Sequence, residues 1–456
     1  MQIFQIGYAC VNINPPLGCG IDGYYVPRFA KGYLDDIEAH GIVLSLDQTR
    51  IVLISVDNCN LGTPLVNRYG MAIERATGIK KENVLLTATH THTGPLIQPF
   101  DGFYADQTVI DRYAAFVEER LIDLVKLAIG DLKPARMGHI TGYAPERVAY
   151  IRLYRMKDGT TMTCPAINDP NIDHPIGELD QRVHVLRFDR ENAPSIVIVN
   201  YGLHADTTNG EMLSSDWPGW LRRTVDKALD GTKCLCLVGC EGDVGSTNVF
   251  PSGGDMNDTE ISFDNEMKSP GMARFVGRAL AGTVLQVFDK VEYVEVDELK
   301  ILHKTVEVEA NRPSLDELPL AHKYKQLHEA GRDDLIPYTA MELTIAVSEA
   351  LRMCDLEFGP DVFSLELTGI KIGPVAIVGI PGEPFTDIGI RIKETEGFKV
   401  IMPLGLANGC EGYFPSKEAY EAGGYEARSS PFRAHVSDRI VEGSKELLSA
   451  LKQQEG

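Results

Sequence analysis

Long apolar runs are missing from this chain, and so is any excess of basic charge. No stretch reaches the roughly 18 consecutive apolar residues that a membrane span requires. The amino terminus, MQIFQIGYACVNINPPLG, has no basic segment ahead of an apolar one. The expectation is a cytoplasmic chain with no stable membrane association. Lys and Arg number 44 against 65 Asp and Glu, a formal net charge of −21. Nucleic acid and anionic lipid both demand clustered cations, so neither is the expected partner; a small-molecule substrate is. Cysteine is sparse and odd in number, nine in 456 residues. Disulfide frameworks belong to small secreted chains, and Cys234, Cys236 and Cys240 in CLCLVGC read as reduced core thiols. There is no Walker A sequence, no CxxC pair and no GxSxG elbow around Ser214, Ser215 or Ser246. Gly18-Cys19-Gly20-Ile21-Asp22-Gly23 does match GxGxxG, but Asn-Pro-Pro precedes it and YYVPRF follows. Without a strand before it and a helix after it, the run reads as a tight polar turn at a pocket mouth.

What is present is ordinary globular composition, 44% hydrophobic and 24% charged, with strand-like runs separated by helical ones. TRIVLISVD (49–57) and NVLLTATHTH (83–92) are continuous apolar runs of the kind buried strands show. PLVNRYGMAIERATG between them has helical spacing and ends at Gly78, a C-cap residue. Further strands are expected at 183–189, 195–202, 233–239, 362–373 and 375–382, and helices at 111–130, 217–229, 271–288, 339–354 and 437–452. The fold class that follows is α/β, a large mixed sheet flanked by helices, with neither internal repeat nor low-complexity linker. Residues 293–360 suggest an appended hairpin and helical lobe. The whole chain, 1–456, is expected to be a single domain, because the strands after that lobe run into Glu383 and Tyr413, which the site needs beside His90.

The sharpest local signal is ATHTHTGP (88–95), at the end of an apolar strand. Residues two apart in a strand share a face, so His90 and His92 can converge where the strand opens into a Gly-Pro turn. Imidazole is the commonest protein zinc ligand; the competing reading is a hydrogen-bonded structural pair. His204, in NYGLHADTT, also follows an apolar strand, and taken alone it reads as structural. Glu383, in VAIVGIPGEPF, is either an exposed turn carboxylate or a group aimed into a pocket. Tyr413, Tyr420 and Tyr425 share a Gly- and Tyr-rich loop, and spacing does not choose among them.

Taken in order, INPPLGCGIDGY, ISVD, THTHTGP, the Arg152 region, GELDQRVHVLRFD, LHADTT, SSDWPGW, GDVGSTN, PGEPFT and GYFPSKEAYEAGGYEA resemble the amino-terminal catalytic domain of the neutral (non-lysosomal) ceramidase family. The resemblance runs through nearly the whole chain. It implies one zinc ion per chain, held by His90, His204, Glu383 and Tyr413. It also implies His92 as proton carrier or substrate contact, Tyr425 as hydrogen-bond donor to the scissile carbonyl, and Arg152 lining the pocket. Several departures stand out, among them that the ceramidases are secreted or membrane-associated whereas no leader is expected here. The family's GDVSPN reads GDVGSTN, so an ungapped match puts Gly245 at the serine position and Ser246 one residue late; Ile151 replaces an asparagine before the arginine. The ceramidases also continue into an immunoglobulin-like carboxy-terminal domain, beyond the point where this sequence ends.

The chemistry these readings imply is zinc-dependent hydrolysis of an amide (N-acyl) or related carbonyl bond in a small soluble molecule, with a metal-activated water as nucleophile. Tyr425 and the metal would stabilise the oxyanion, His92 would protonate the departing amine, and Asp206 and Asp216 would fix histidine tautomers. The polar run from Asp206 to Asp216 would contact substrate hydroxyl or charged groups. The alternative is a zinc lyase or isomerase acting on a sugar-like substrate, with ceramide itself the lesser candidate among hydrolytic substrates.

Overall fold

The computed structural model describes residues 3–99, 105–251 and 268–453. Its elements fall into three units with one connectivity, three strands, a helix, a fourth strand and a closing helix. The first contains β1 (Gln5–Asn12), β2 (Glu38–Leu46), β3 (Thr49–Val56), α1 (Thr63–Thr77), β4 (Val84–Ala88) and α2 (Gln107–Gly130). The second contains β5 (Lys133–Tyr143), β6 (Arg182–Arg190), β7 (Ile196–Tyr201), α3 (Asp216–Ala228), β8 (Lys233–Val238) and α4 (Pro270–Val287). A connecting strand, β9 (Glu292–Val294), precedes β10 (Leu299–Glu309) of the third unit. Two helices, α5 (Leu318–Glu329) and α6 (Ala340–Glu357), are inserted before β11 (Val362–Ile372), β12 (Val375–Gly379), α7 (Thr386–Lys393), β13 (Val400–Leu404) and α8 (Val436–Lys452).

Within each unit the first three strands pair antiparallel and the fourth pairs parallel with the third. The first two units share one mixed sheet, ordered β8-β7-β6-β5-β1-β2-β3-β4, with β9 also on β5. Their strands pair where Gln5 and Ile6 meet Pro134 and Lys133. The third unit is a separate sheet, β10-β11-β12-β13. Outer faces pack on each unit's own helices, as Val52 and Leu86 do with Val117 and Leu121. Inner faces of all three meet in one cluster that includes Leu44, Leu85, Leu186, Ile198, Ile370, Ile377 and Met402. Strands buried on both faces need apolar residues at successive positions, which is why 51–56 and 84–88 lack alternation.

The expected α/β class and large mixed sheet are present, and Gly78 closes α1 in the left-handed conformation (φ 77°), its N–H donating to Glu74 O. The segment 293–360 is built differently from an appended hairpin. Residues 292–294 extend the large sheet, and 299–309 pair along their length with 362–372. Only the two helices between them stand apart, around Ala321, Tyr324, Val347 and Leu351. Alternation at 293–309 signalled strand correctly, but its partner lies beyond an insertion that local pattern cannot span. Helix 318–329 lies in the stretch expected to form a helical lobe, whereas helix 386–393 was not expected from spacing.

Candidate metal centre

In α/β sheets, the loops beyond the carboxyl ends of parallel strands are where ligands gather. Each unit has one parallel pair, and the loops of all three supply the centre. His90 and His92 follow β4, His204 follows β7, Glu241 and Asp243 follow β8, Glu383 follows β12, and Tyr413 and Tyr425 come after β13. Two motifs clasp the second unit to the third. Gly242 N donates to Pro384 O at 3.0 Å, and Asp243 Oδ1 accepts from the Thr386 amide and hydroxyl, both at 2.8 Å. A Cβ on Gly242 would come within 2.6 Å of Glu383 O, so the GD of GDVGSTN fits only as glycine against PGEPF.

His90 Nε2 and His204 Nε2 each lie 3.2 Å from Glu383 Oε2. Their other ring nitrogens are committed to main-chain carbonyls: His90 Nδ1 to Cys59 O and His204 Nδ1 to Glu241 O, both at 2.7 Å. A carbonyl only accepts, so Nδ1 carries a proton, and in the neutral ring the Nε2 lone pair is the one that faces the carboxylate. Three electron-rich atoms thus meet in a buried space, and His204 Nε2 and Glu383 Oε2 have no hydrogen-bond partner. A cation satisfies all three, and the group His90, His204 and Glu383 can hold one. Burial disfavours charge on Glu383, yet His90 and His204 hold its carboxyl well below the usual range. Burial likewise opposes the His90 cation, but Glu383 outweighs it, whereas burial and Arg152 bring His204 down to about 4.

The pair His90 and His92 does converge, though not by strand alternation. β4 ends at Ala88, and His90 takes φ 63°, a region that non-glycine residues seldom occupy. That turn brings His92 Nε2 within 3.2 Å of His90 Nε2. The polar turn at Gly23 packs on His92, where a Cβ would lie 2.8 Å from His92 Cα. Asp206 Oδ2 stands 3.8 Å from His92 Nδ1 and accepts from Lys268 Nζ at 2.8 Å, while Asp206 Oδ1 accepts from the Tyr24 hydroxyl.

Tyr413 pairs in parallel with Glu383 through the main chain, and its ring stacks against His204 at 6.4 Å. Arg152 Nη2 donates to the Tyr413 hydroxyl at 3.0 Å and to Gly242 O at 2.8 Å, while its Nε faces Glu426 Oε1 at 2.7 Å. Tyr425 meets the Tyr413 ring edge-on at 5.6 Å. Tyr420 points elsewhere, to Ser430 and Phe432 O.

Asp216 touches no histidine. It accepts from the Thr207 and Thr208 amides at 3.0 and 3.1 Å and from the Thr207 hydroxyl. With φ 54° it opens α3, where an acidic group complements the helix dipole. Ser215 is bound to Asp35, and the Ser214 hydroxyl accepts from the Asp216 amide. Much of the polar run after His204 is therefore committed to internal bonds rather than offered to a substrate. Ser246 is buried, one residue past a short pairing of Val244–Gly245 with Tyr150–Ile151. Glu241, Glu426 and Lys268 were not anticipated. Glu241 is fully buried with neither carboxylate oxygen bonded, and burial drives its carboxyl far upward. Its only sequence signal is its place just past an apolar strand, shared with His90, His204 and Glu383.

The sequence matches no protein-family model and no curated protein. Solved structures do match. Neutral ceramidase from Pseudomonas aeruginosa superposes with a TM-score of 0.71 at 18% identity, over 99% of this chain and 75% of that one. This is the neutral ceramidase fold. A ceramidase complexed with C2 gives 0.72 at 17% identity, over 99% and 76% of the two chains. The motifs that resembled neutral ceramidases in the sequence thus sit in a neutral ceramidase fold. Among the described residues, no helix is long and apolar enough to cross a membrane.

Proposed function

We propose that this chain is a zinc-dependent hydrolase of the neutral ceramidase family, acting on an amide or related carbonyl bond of a small water-soluble compound. His90, His204, Glu383 and Tyr413 would hold the metal. The observation that carries this reading is the meeting of two imidazole Nε2 atoms with one carboxylate oxygen in a buried space where His204 Nε2 and Glu383 Oε2 have no hydrogen-bond partner. Zinc in such a nitrogen and oxygen set, with a position left open, would supply an acidified water and a polarised carbonyl.

The chain's own groups then divide the work. His92, beside His90 and backed by Asp206, accepts the proton released as water adds to the carbonyl carbon. It returns that proton to the nitrogen as the C–N bond breaks, leaving a carboxylate and an amine. Tyr425 donates its phenolic hydrogen to the oxygen that gains charge. Burial and Glu383 push the Tyr413 hydroxyl well above its ordinary pKa, and Arg152, which donates to that oxygen, opposes the shift. The net charge of −21 supports a soluble substrate over one met on anionic membranes.

The test is kcat/KM for short N-acyl compounds, sugar-derived amides or lactones, and detergent-dispersed ceramides, with products identified. Release of amine with carboxylate from a short substrate is the expected result. An unsaturated or isomerised product without water uptake would mean lyase or isomerase chemistry. Ceramide ahead by about tenfold, or about 1.4 kcal/mol of transition-state binding, would make the substrate a lipid.

A further inference from the structure

A second cluster of ligand-type side chains lies on the β1–β2 pair. Cys10 stands opposite His40 in the antiparallel register, and Glu38 precedes His40 by two residues, so alternation places all three on one face. Their ligand atoms converge. His40 Nε2 lies 3.6 Å from Cys10 Sγ and 3.1 Å from Glu38 Oε2, and the three form a group able to hold a metal ion. Zinc bonds of about 2.3 Å to sulfur and 2.0–2.1 Å to nitrogen, opened at a tetrahedral angle, separate those two atoms by about 3.5 Å. The other ring nitrogen, His40 Nδ1, is 2.6 Å from the Tyr8 hydroxyl, the outer-shell partner that metal-binding imidazoles generally have.

Charge fits as well. Arg222 of α3 and Asp57, just past β3, are paired at 2.6 Å beside the cluster, and both interact with His40. A thiolate and two carboxylates against one guanidinium leave two negative charges, which a divalent ion neutralises. Coordination would expel the Cys10 thiol proton.

We infer that Cys10, Glu38 and His40 form a second divalent-metal site, of thiolate–imidazole–carboxylate type suited to zinc. Thiolate selects zinc over the hard cations magnesium and calcium.

The probe is cobalt(II), loaded into the metal-stripped full chain. Wild type is expected to bind about two ions and to show a thiolate-to-cobalt charge-transfer band, because the proposed catalytic ligands include no sulfur. Cys10→Ser should lose the band and about one ion while keeping hydrolytic activity, and Glu38→Gln should weaken the same ion with the fold intact by circular dichroism. His204→Ala should keep the band and lose the other ion, which separates this site from the catalytic reading. The inference is overturned if wild type shows no band, if Cys10→Ser leaves metal content unchanged, or if the band persists in Cys10→Ser and disappears in Cys59→Ser.

Discussion

His204 Nε2 lies 3.2 Å from Glu383 Oε2, and that contact crosses from the first sheet to the second. Neither unit alone can form it. A metal at this point would bind the assembled chain and not the unfolded one, so it would stabilise the fold by mass action.

His204→Ala should therefore remove most of the zinc and abolish the rise in melting temperature that zinc produces. His184→Ala, on β6 with its ring on Thr141, should leave metal content unchanged. Metal analysis of purified protein, with thermal unfolding in the presence and absence of chelator, checks both.

Tyr425→Phe should lower kcat by about 10²–10³, or about 2.7–4 kcal/mol, the usual cost of one oxyanion donor. KM and zinc content should change little, because Tyr413 and not Tyr425 is paired with Glu383. A variant that loses zinc would reverse the roles of the two tyrosines.

Asp206→Asn should reduce kcat by about 10–100-fold, the scale of lost outer-shell partners, without emptying the metal centre. Lys268→Met should act in the same direction, since Lys268 holds Asp206. Because Asp206 faces His92 and neither ligand histidine, the pH–rate profile should move while zinc affinity does not.

His184 provides a stability test away from the centre. Burial, with Lys393 nearby, lowers its pKa to about 3. Above about pH 6.5, the ordinary histidine value, the site is neutral in both folded and unfolded chains. As pH falls from there toward 3, the unfolded chain takes up a proton that the folded chain refuses, and stability is lost. Urea unfolding at pH 7 and pH 4.5 should show a shallower loss for His184→Gln than for wild type.

Much of this protein was written locally. The apolar runs at 51–56 and 84–88, the spacing of α1 and α4 and the Gly78 cap of α1 depend on near neighbours, and they read correctly from the sequence. So did the order of the site motifs, since THTHTGP, LHADTT, PGEPFT and GYFPS each follow their own strand. The three-unit plan was not legible, because residues 13–37, 144–181 and 310–361 interrupt each unit between its first two strands and no spacing repeats. Nor was the φ of 63° that turns His90 toward His92. Asp216 was expected to fix a histidine tautomer, but folding spends its oxygens on Thr207 and Thr208. Sequence determines which groups stand at strand ends. Which lone pairs meet, and which are already satisfied, depends on contacts between distant segments, and those are set by the packing of three sheet faces into one core.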